Sequence, residues 1–219
     1  MKVTKIEPQK HNKNRYSIYV DDKFAIGVDR EIVWTLNLYE GLEIDANMLE
    51  RISYTEEKRK VKEKALNLLT YRARSKKELI DRLKEKGEVQ PQAEINIIAD
   101  VIGELETIGL VNDNGFAELW VRERSKLYGP FRLRAELIKK GIAQEIIDKT
   151  LSELNEPDIA RRLAQKWMDR HKEVRPQNLP PDVLKRRLFS FLMRRGISYE
   201  TINSLYQCWE ALPTKNIFE

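Results

Sequence analysis

A motif of two leucines and a glycine occurs three times in this chain and restricts its fold more than any other feature. The copies are Leu79, Leu83 and Gly87; Leu133, Leu137 and Gly141; and Leu188, Leu192 and Gly196. Leucines four residues apart lie on one face of a helix, and glycine readily adopts the left-handed conformation that ends a helix. Because the glycines recur after 54 and 55 residues, the sequence predicts a unit of roughly fifty residues, repeated three times around a short central helix.

Each central helix is predicted to begin with a different signal. The signals are Ser75 with Glu78, Gly129 with Pro130, and Pro180 with Pro181 and Asp182. The first is a capping box, in which the serine accepts a hydrogen bond from a backbone N–H and the glutamate reaches back. In the other two, proline occupies the first turn, where its missing N–H costs nothing. In the second unit, we further expect Asp113 to cap an earlier helix.

Apolar residues at steps of three and four also precede and follow each central helix, which predicts three helices per unit. Units of this size bury little apolar surface alone, so neighbouring units are expected to share apolar faces as solenoid repeats do. The predicted units cover residues 56–112, 113–155 and 156–219. The predicted fold is therefore mainly α, with three tandem three-helix repeats forming an elongated curved array.

The first 55 residues have a different pattern and are predicted to form a small β-rich module. The segments "RYSIYV" and "KFAIGV" flank Asp21 and Asp22, as expected for a β-hairpin, and "VTKIEP" can supply a third strand. Asp29 can cap a short helix after the hairpin. The module has no phosphate-binding glycine loop, so we expect a docking or scaffolding role.

Charge is distributed unevenly along the chain. Residues 1–57 hold 8 Lys and Arg against 11 Asp and Glu, a net −3, whereas residues 58–219 hold 32 against 24, a net +8. A basic repeat surface favours a polyanion or an acidic protein as partner, because it raises encounter rates and releases counterions from phosphates. The alternative is a solvated helical surface without a binding role.

One set of cations recurs beside the leucines of the central helices. Arg132 and Lys139 in the second copy, and Arg187 and Arg194 in the third, lie seven residues apart on one line of each helix. The first copy has Glu78 and Glu85 at these positions. This change of sign leaves two interpretations open, a functional basic surface and a solvated face. By contrast Lys86, Lys140 and Arg195 directly precede the glycines, where a cation complements the helix dipole, so we expect them to be structural.

Several residue types are expected to have no chemical role. Phe116, Trp120, Trp167 and Trp209 fall at helical spacing with leucines and are predicted to pack in cores. Cys208, the one cysteine, is expected to be buried beside Leu205. His11 and His171 lie far apart in the sequence, so neither a metal nor a cofactor is expected. No apolar run approaches the ~20 residues of a membrane span, and the start lacks a secretion signal, so we expect a cytoplasmic protein without a membrane partner.

The stretch "YRARSKKELIDRLKEKG", followed by "ELETIGLVNDNGFAELWVRERSKLYGPFRLRAELIKKGI", resembles the RecX family of regulators of the recombinase RecA. The resemblance is strong over residues 60–155 and looser over 156–212. It implies a protein that lies in the groove of a RecA filament on single-stranded DNA, and we expect a monomer. There it would limit filament growth or promote disassembly, and so restrain strand exchange, ATP hydrolysis and coprotease activity. The resembled motif also makes Arg72, Arg74, Arg122 and Arg124 candidate partner contacts, and direct DNA contact stays open.

Two other functions fit the sequence less well. Three-helix units with a basic surface also fit a helix-turn-helix protein that acts directly on DNA, although three differently charged tandem copies suit a filament groove better than palindromic half-sites. An enzyme is disfavoured, because the nine glycines form neither a G-x-x-x-x-G-K loop nor a G-x-G-x-x-G turn.

Overall fold

The structure is a computed structural model that describes the backbone of residues 1–85, 91–174 and 181–210. The side chains of residues 91–95, 171–174, 181, 209 and 210 are not described. Lys86, Gly87 and Pro180, and the side chains of His171, Pro181 and Trp209, therefore lie outside the described residues. The elements are β1 (Val3–Pro8), β2 (Arg15–Val20), β3 (Lys23–Asp29), α1 (Arg30–Thr35), α2 (Ala46–Tyr71), α3 (Lys76–Lys84), α4 (Pro91–Thr107), α5 (Asp113–Arg124), α6 (Pro130–Lys139), α7 (Gln144–Ser152), α8 (Glu156–Val174), α9 (Pro181–Arg195) and α10 (Tyr199–Glu210).

The N-terminal module is an antiparallel sheet in the order β1-β2-β3. Asp21 and Asp22 have φ of 48° and 63°, the left-handed conformation that a two-residue hairpin turn requires. The predicted hairpin and third strand are thus confirmed. So is the cap of α1, since the Asp29 side chain accepts a hydrogen bond from the N–H of Glu31.

Helix α2 links this module to the first repeat without a break. Its residue Ile52 packs with the sheet, whereas Val61 and Ala65 pack with α3 and α4. The predicted boundary between residues 55 and 56 thus falls inside a helix whose two ends serve different cores. Glu56, buried at this point, accepts a hydrogen bond from the Asp29 N–H at 3.0 Å and pairs with Arg15 at 2.7 Å.

Each predicted repeat contains a helical triplet with its own buried cluster. The triplets are the second half of α2 with α3 and α4, then α5 to α7, then α8 to α10. All six motif leucines are buried, with exposed fractions from 0% to 7%. The predicted fold class, a small sheet followed along the chain by three helical triplets, is confirmed.

The chain divides into two compact units. The first comprises Met1–Arg74 and Leu79–Val111, and the second comprises Ser75–Glu78 and Asn112–Glu219. Ser75 and the first three residues of α3 thus belong with the second and third repeats. The contacts between central helices described below lie within this second unit.

One prediction about the start of a helix was wrong. Asn112, not Asp113, caps α5, because Asn112 has extended backbone and its Oδ1 accepts a hydrogen bond from the Gly115 N–H at 3.1 Å. Asp113 instead accepts from the backbone N–H of Lys76 at 2.8 Å, so it caps α3. The sequence spacing could not distinguish these adjacent residues, because both side chains are good caps.

Cys208 is exposed rather than buried. It continues the line of Leu205 by helical spacing, but it lies in the last turn of α10. There it borders an open groove of about 470 Å³ that Pro157 and Arg161 of α8 also line. The expectation failed because the packing that covers Leu205 does not extend to this turn.

Candidate functional site

The start of one central helix docks on the end of the next in the same way twice. The Ser75 hydroxyl at the start of α3 donates to the carbonyl of Lys140 at 2.7 Å, after the end of α6. The backbone N–H of Gly129 at the start of α6 donates to the carbonyl of Arg195 at 2.8 Å, at the end of α9. In both cases the donor lies four residues before the first motif leucine and the acceptor directly precedes the motif glycine. We call these contacts the first and second junctions.

The recurring glycine is required by these junctions as well as by helix termination. Gly141 and Gly196 have φ of 76° and 84°. A Cβ added to Gly196 would lie 2.5 Å from the backbone nitrogen of Arg132, and one added to Gly141 would clash with the Lys77 side chain. A residue with a side chain at either position would therefore be strained and would push the neighbouring helix away.

The first junction explains why the first copy carries Glu78. The Lys140 ammonium pairs with the Glu78 carboxylate at 3.0 Å and lies 4.6 Å from the centroid of the Trp120 ring. The side chains of Glu78 and Lys140 are only 16% and 22% exposed. The negative charge at this position thus has a structural cause, and the change of sign along the predicted stripe is no evidence for binding. The structural role predicted for Lys140 is confirmed, as is the acceptor role of Ser75, which accepts from the Glu78 N–H.

The second junction is built around the ring of Tyr128. Three guanidinium groups lie over this ring, those of Arg132, Arg124 and Arg195, at 3.9, 4.8 and 5.3 Å from its centroid. Arg195 also lies 5.0 Å from the centroid of Phe191. Cations over an aromatic face are attracted by the negative face of the ring. The structural role predicted for Arg195 is therefore confirmed.

Glu136 balances the charge of this cluster. Its carboxylate accepts hydrogen bonds from Arg124 at 2.6 and 2.7 Å, from the Trp120 indole N–H at 3.1 Å, and from Arg132 at 3.4 Å. Burial alone would raise the pKa of Glu136, but the hydrogen bonds from Arg124 and Trp120 outweigh it and lower the pKa. The hydrogen bond to Glu136 likewise raises the pKa of Arg124.

Two of the candidate cations, Arg124 and Arg132, therefore interact with other side chains of this protein, to different degrees. Arg124 makes a two-point ion pair with Glu136. This pair gives Arg124 a structural role that requires no binding partner, so its role in partner binding stays a prediction. Arg132 remains 44% exposed beside Glu136. Of the aromatic residues, Phe116 is buried and Trp120 packs against the same cluster, as predicted.

Arg187 and Arg194 have a different environment, because they line one groove on α9. The groove measures about 480 Å³ and is lined by Trp167, Val183, Arg186, Arg187, Ser190 and Arg194. All three arginines are exposed, and no acidic side chain is among the described residues that line the groove. We call it the arginine groove.

Sequence reasoning missed Arg186, although the signal was present. Arg186, Ser190 and Arg194 are spaced by four residues, and Arg187 and Arg194 by seven. Both spacings keep side chains on neighbouring lines of one helix face. The seven-residue spacing shared by the copies predicts only Arg187 and Arg194, two of the three arginines.

The other candidate residues lie apart from the arginine groove or in the first unit. Lys139 is exposed at the end of α6, and Arg122 lines a separate groove in which Glu118 and Glu153 also lie. Arg72 and Arg74 follow α2 and donate to the carbonyls of Ala73 and Leu68. The structure thus brings Arg187 and Arg194 together, and Arg124 and Arg132 together around Tyr128.

Two other kinds of site are absent from the described residues. They contain no group of three or more His, Cys, Asp or Glu side chains arranged to hold a metal ion. None of their helices combines the length and the apolar character that crossing a bilayer demands.

Comparison with known families matches four consecutive regions of the chain. Residues 1–45 match the regulatory protein RecX N-terminal domain, and residues 62–105, 112–151 and 155–205 match the first, second and third RecX three-helix domains. The matched regions agree with the sheet module and the three helical triplets.

Similar proteins and structures give the same result. Regulatory protein RecX of Listeria welshimeri is 33% identical over 96% of this chain and 80% of its own length, and that of Bacillus subtilis 35% over 92% and 75%. A crystal structure of regulatory protein RecX superposes with a TM-score of 0.72 and 26% identity, over 94% of this chain and 98% of the other. RecX from Lactobacillus salivarius, at 24% identity and a TM-score of 0.60 over 72% and 99%, shares the fold. With its four regions matched in order and its sequence aligned nearly throughout, the chain belongs to the RecX family of regulatory proteins.

Proposed function

We propose that this protein binds RecA filaments on single-stranded DNA and restrains their strand-exchange, ATPase and coprotease activities, acting in the cytoplasm without catalysis of its own. Membership of a family of regulatory proteins supports a regulatory role. The name RecX and the family resemblance point to RecA as the partner.

The observation that carries this proposal is the arginine groove. Arg186, Arg187 and Arg194 are exposed, line one cavity, and have no acidic side chain beside them among the described lining residues. A guanidinium binds carboxylate and phosphate through two parallel hydrogen bonds, and it gives up hydration more readily than an ammonium. The groove is therefore suited to the acidic side chains of a filament subunit or to the phosphates of the DNA that it carries.

RecA ATPase activity on single-stranded DNA tests the proposal. We expect the rate to fall as this protein is added from substoichiometric to equimolar amounts relative to RecA, with a parallel loss of strand exchange. A heat-inactivated sample at the same concentrations controls for buffer effects. Unchanged ATPase activity and strand exchange over this range would contradict the proposal.

The same groove favours one alternative, a protein that acts directly on duplex DNA. Phosphates attract guanidinium groups without any protein partner, and such binding weakens steeply as salt increases. Sequence-selective, salt-dependent binding of duplex DNA in the absence of RecA, together with no effect on the ATPase, would establish this alternative. Binding that appears only when RecA is present would exclude it.

A further inference from the structure

We infer that the outer face of α6 is a docking site for an acidic amphipathic segment of the protein partner, an inference that rests on the proposed function. The face consists of Phe131, Ala135 and Ile138, flanked by Arg132 and Lys139. We call it the α6 face. It is separate from the arginine groove, which lies on α9.

The three apolar residues form one line along the helix. They are spaced by four and three residues, which places them above one another on successive turns. Phe131 is 64% exposed, Ile138 is 54% exposed, and Ala135 between them is also exposed. Single exposed apolar residues are ordinary, but a continuous line of them on one helix is the feature that a partner helix recognises.

The other repeats show that the fold does not require apolar residues here. The equivalent residues, counted from the motif leucines, are Lys77, Asp81 and Lys84 in the first copy and Arg186, Ser190 and Met193 in the third. All six are exposed. A polar or charged side chain is therefore compatible with the position, so the apolar side chains of the second copy are not explained by folding.

The charge beside the line determines the kind of partner. Arg132 and Lys139 each directly follow an apolar residue of the line and are seven residues apart, so they form a parallel row. Lys139 has no ion-pair partner among the described side chains, and Arg132 keeps 44% of its side chain exposed. The nearest acid in the helix, Glu136, is occupied by Arg124 and Trp120. A matching partner therefore carries acidic residues beside its own apolar line.

The length of the α6 face fits a short helical segment. Ten residues of α6 extend about 15 Å at 1.5 Å per residue. This length accommodates two to three turns of a partner helix whose apolar residues recur at steps of three and four. Docking would remove Phe131 and Ile138 from water and place carboxylates beside Arg132 and Lys139.

The binding of this protein to preformed RecA filaments, measured by fluorescence anisotropy at several salt concentrations, tests the inference. In F131Q/I138Q we expect the affinity to fall by about 10- to 100-fold at every salt concentration, because two apolar side chains lose their burial. In K139E, which leaves Arg132 and the second junction intact, we expect a loss that is larger at low salt than at high salt. Glutamine is a good helix former, so the first variant should keep its helix content by circular dichroism.

L119Q/L127Q is the matched control, since Leu119 and Leu127 are 44% and 48% exposed in the same repeat. We expect it to bind as the wild type does. If folded F131Q/I138Q binds with wild-type affinity, the α6 face is not a docking site. If the double variant does not fold, I138Q alone is measured in its place. Wild-type affinity of K139E at low salt overturns the acidic nature of the segment. Absence of binding by the wild-type protein instead overturns the proposed function and this inference with it.

Discussion

The central helices of the second and third repeats occupy equivalent places in their repeats but use their cations differently. In α6, Arg132 lies over Tyr128 and contacts Glu136, so part of its charge is neutralised inside the second junction. In α9, Arg187 and Arg194 line an open groove with Arg186. Equivalent positions in a repeat therefore share a backbone geometry but not an electrostatic role. At the first junction, the equivalent position of the first repeat carries Glu78, which is negative and pairs with Lys140, so the same conclusion holds there.

Replacing the glycine of the second junction should break this arrangement most severely. In G196A, the left-handed backbone and the Cβ contact with Arg132 should together reduce the free energy of unfolding by about 3 kcal/mol. Urea unfolding followed by tryptophan fluorescence measures this loss. G103A is the matched control, because Gly103 lies in α4 and a Cβ there meets nothing within 4 Å. A similar effect of both substitutions would show that the junction does not need its glycine.

Removing the carboxylate of the second junction should have the next largest effect on stability. In E136Q, Arg124 loses its carboxylate partner, and we expect a loss of about 2 kcal/mol at pH 7. The folded-state pKa of Glu136 lies below its ordinary value of 4.5. The carboxylate therefore stabilises the fold fully above that value, and the contribution disappears as the pH falls through the lowered pKa. The difference between wild type and E136Q, measured by urea unfolding from pH 7 to pH 3, should shrink at the acid end. A constant difference would contradict the ion-pair account.

Removing the ring beneath the three guanidinium groups should have a smaller effect. In Y128L the apolar volume is largely kept while the cation–ring attraction is lost, so we expect about 1–2 kcal/mol. Thermal unfolding compared with Y71L, where the tyrosine is 86% exposed, supplies the measurement and its control. Equal shifts in the two variants would mean that Tyr128 contributes no more than an exposed tyrosine.

The smallest effect is expected at the first junction. E78Q removes one partly buried ion pair with Lys140 and should cost about 1 kcal/mol. E85Q is the comparison, since the pair of Glu85 with Arg82 is more than half exposed and should contribute little. Urea unfolding of both variants at low and high salt distinguishes them. A loss in E85Q as large as in E78Q would remove the structural explanation for Glu78.

Local patterns in the sequence predicted much of the fold. The leucine pairs, the hairpin at Asp21 and Asp22, and the caps Asp29 and Ser75 each depend on residues close together in the chain. Their conformations follow from spacing and from the backbone preferences of these residue types. The wrong prediction for Asp113 shows the limit of local patterns, because its carboxylate accepts a hydrogen bond from the backbone N–H of Lys76, 37 residues away in the sequence.

The candidate site was predicted less completely, for the same physical reason. The three guanidinium groups over Tyr128 come from α5, α6 and α9, and a single sequence contains no pattern that brings them together. Sequence spacing alone shows Glu78 only as a change of sign in a surface stripe, because its partner Lys140 is 62 residues away. Arg187 and Arg194 were found because both lie on one helix, where spacing alone determines the shared face.

The arginine groove carries the functional account, and charge reversal within it tests that account most directly. The concentration of this protein that halves RecA ATPase activity on single-stranded DNA should be compared for wild type, R187E/R194E and the charge-matched control K10E/K13E, whose lysines are exposed beside the N-terminal sheet. We predict an increase of about tenfold or more for R187E/R194E, with unchanged circular dichroism, and little change for the control. Inhibition by folded R187E/R194E at the wild-type concentration would contradict the account.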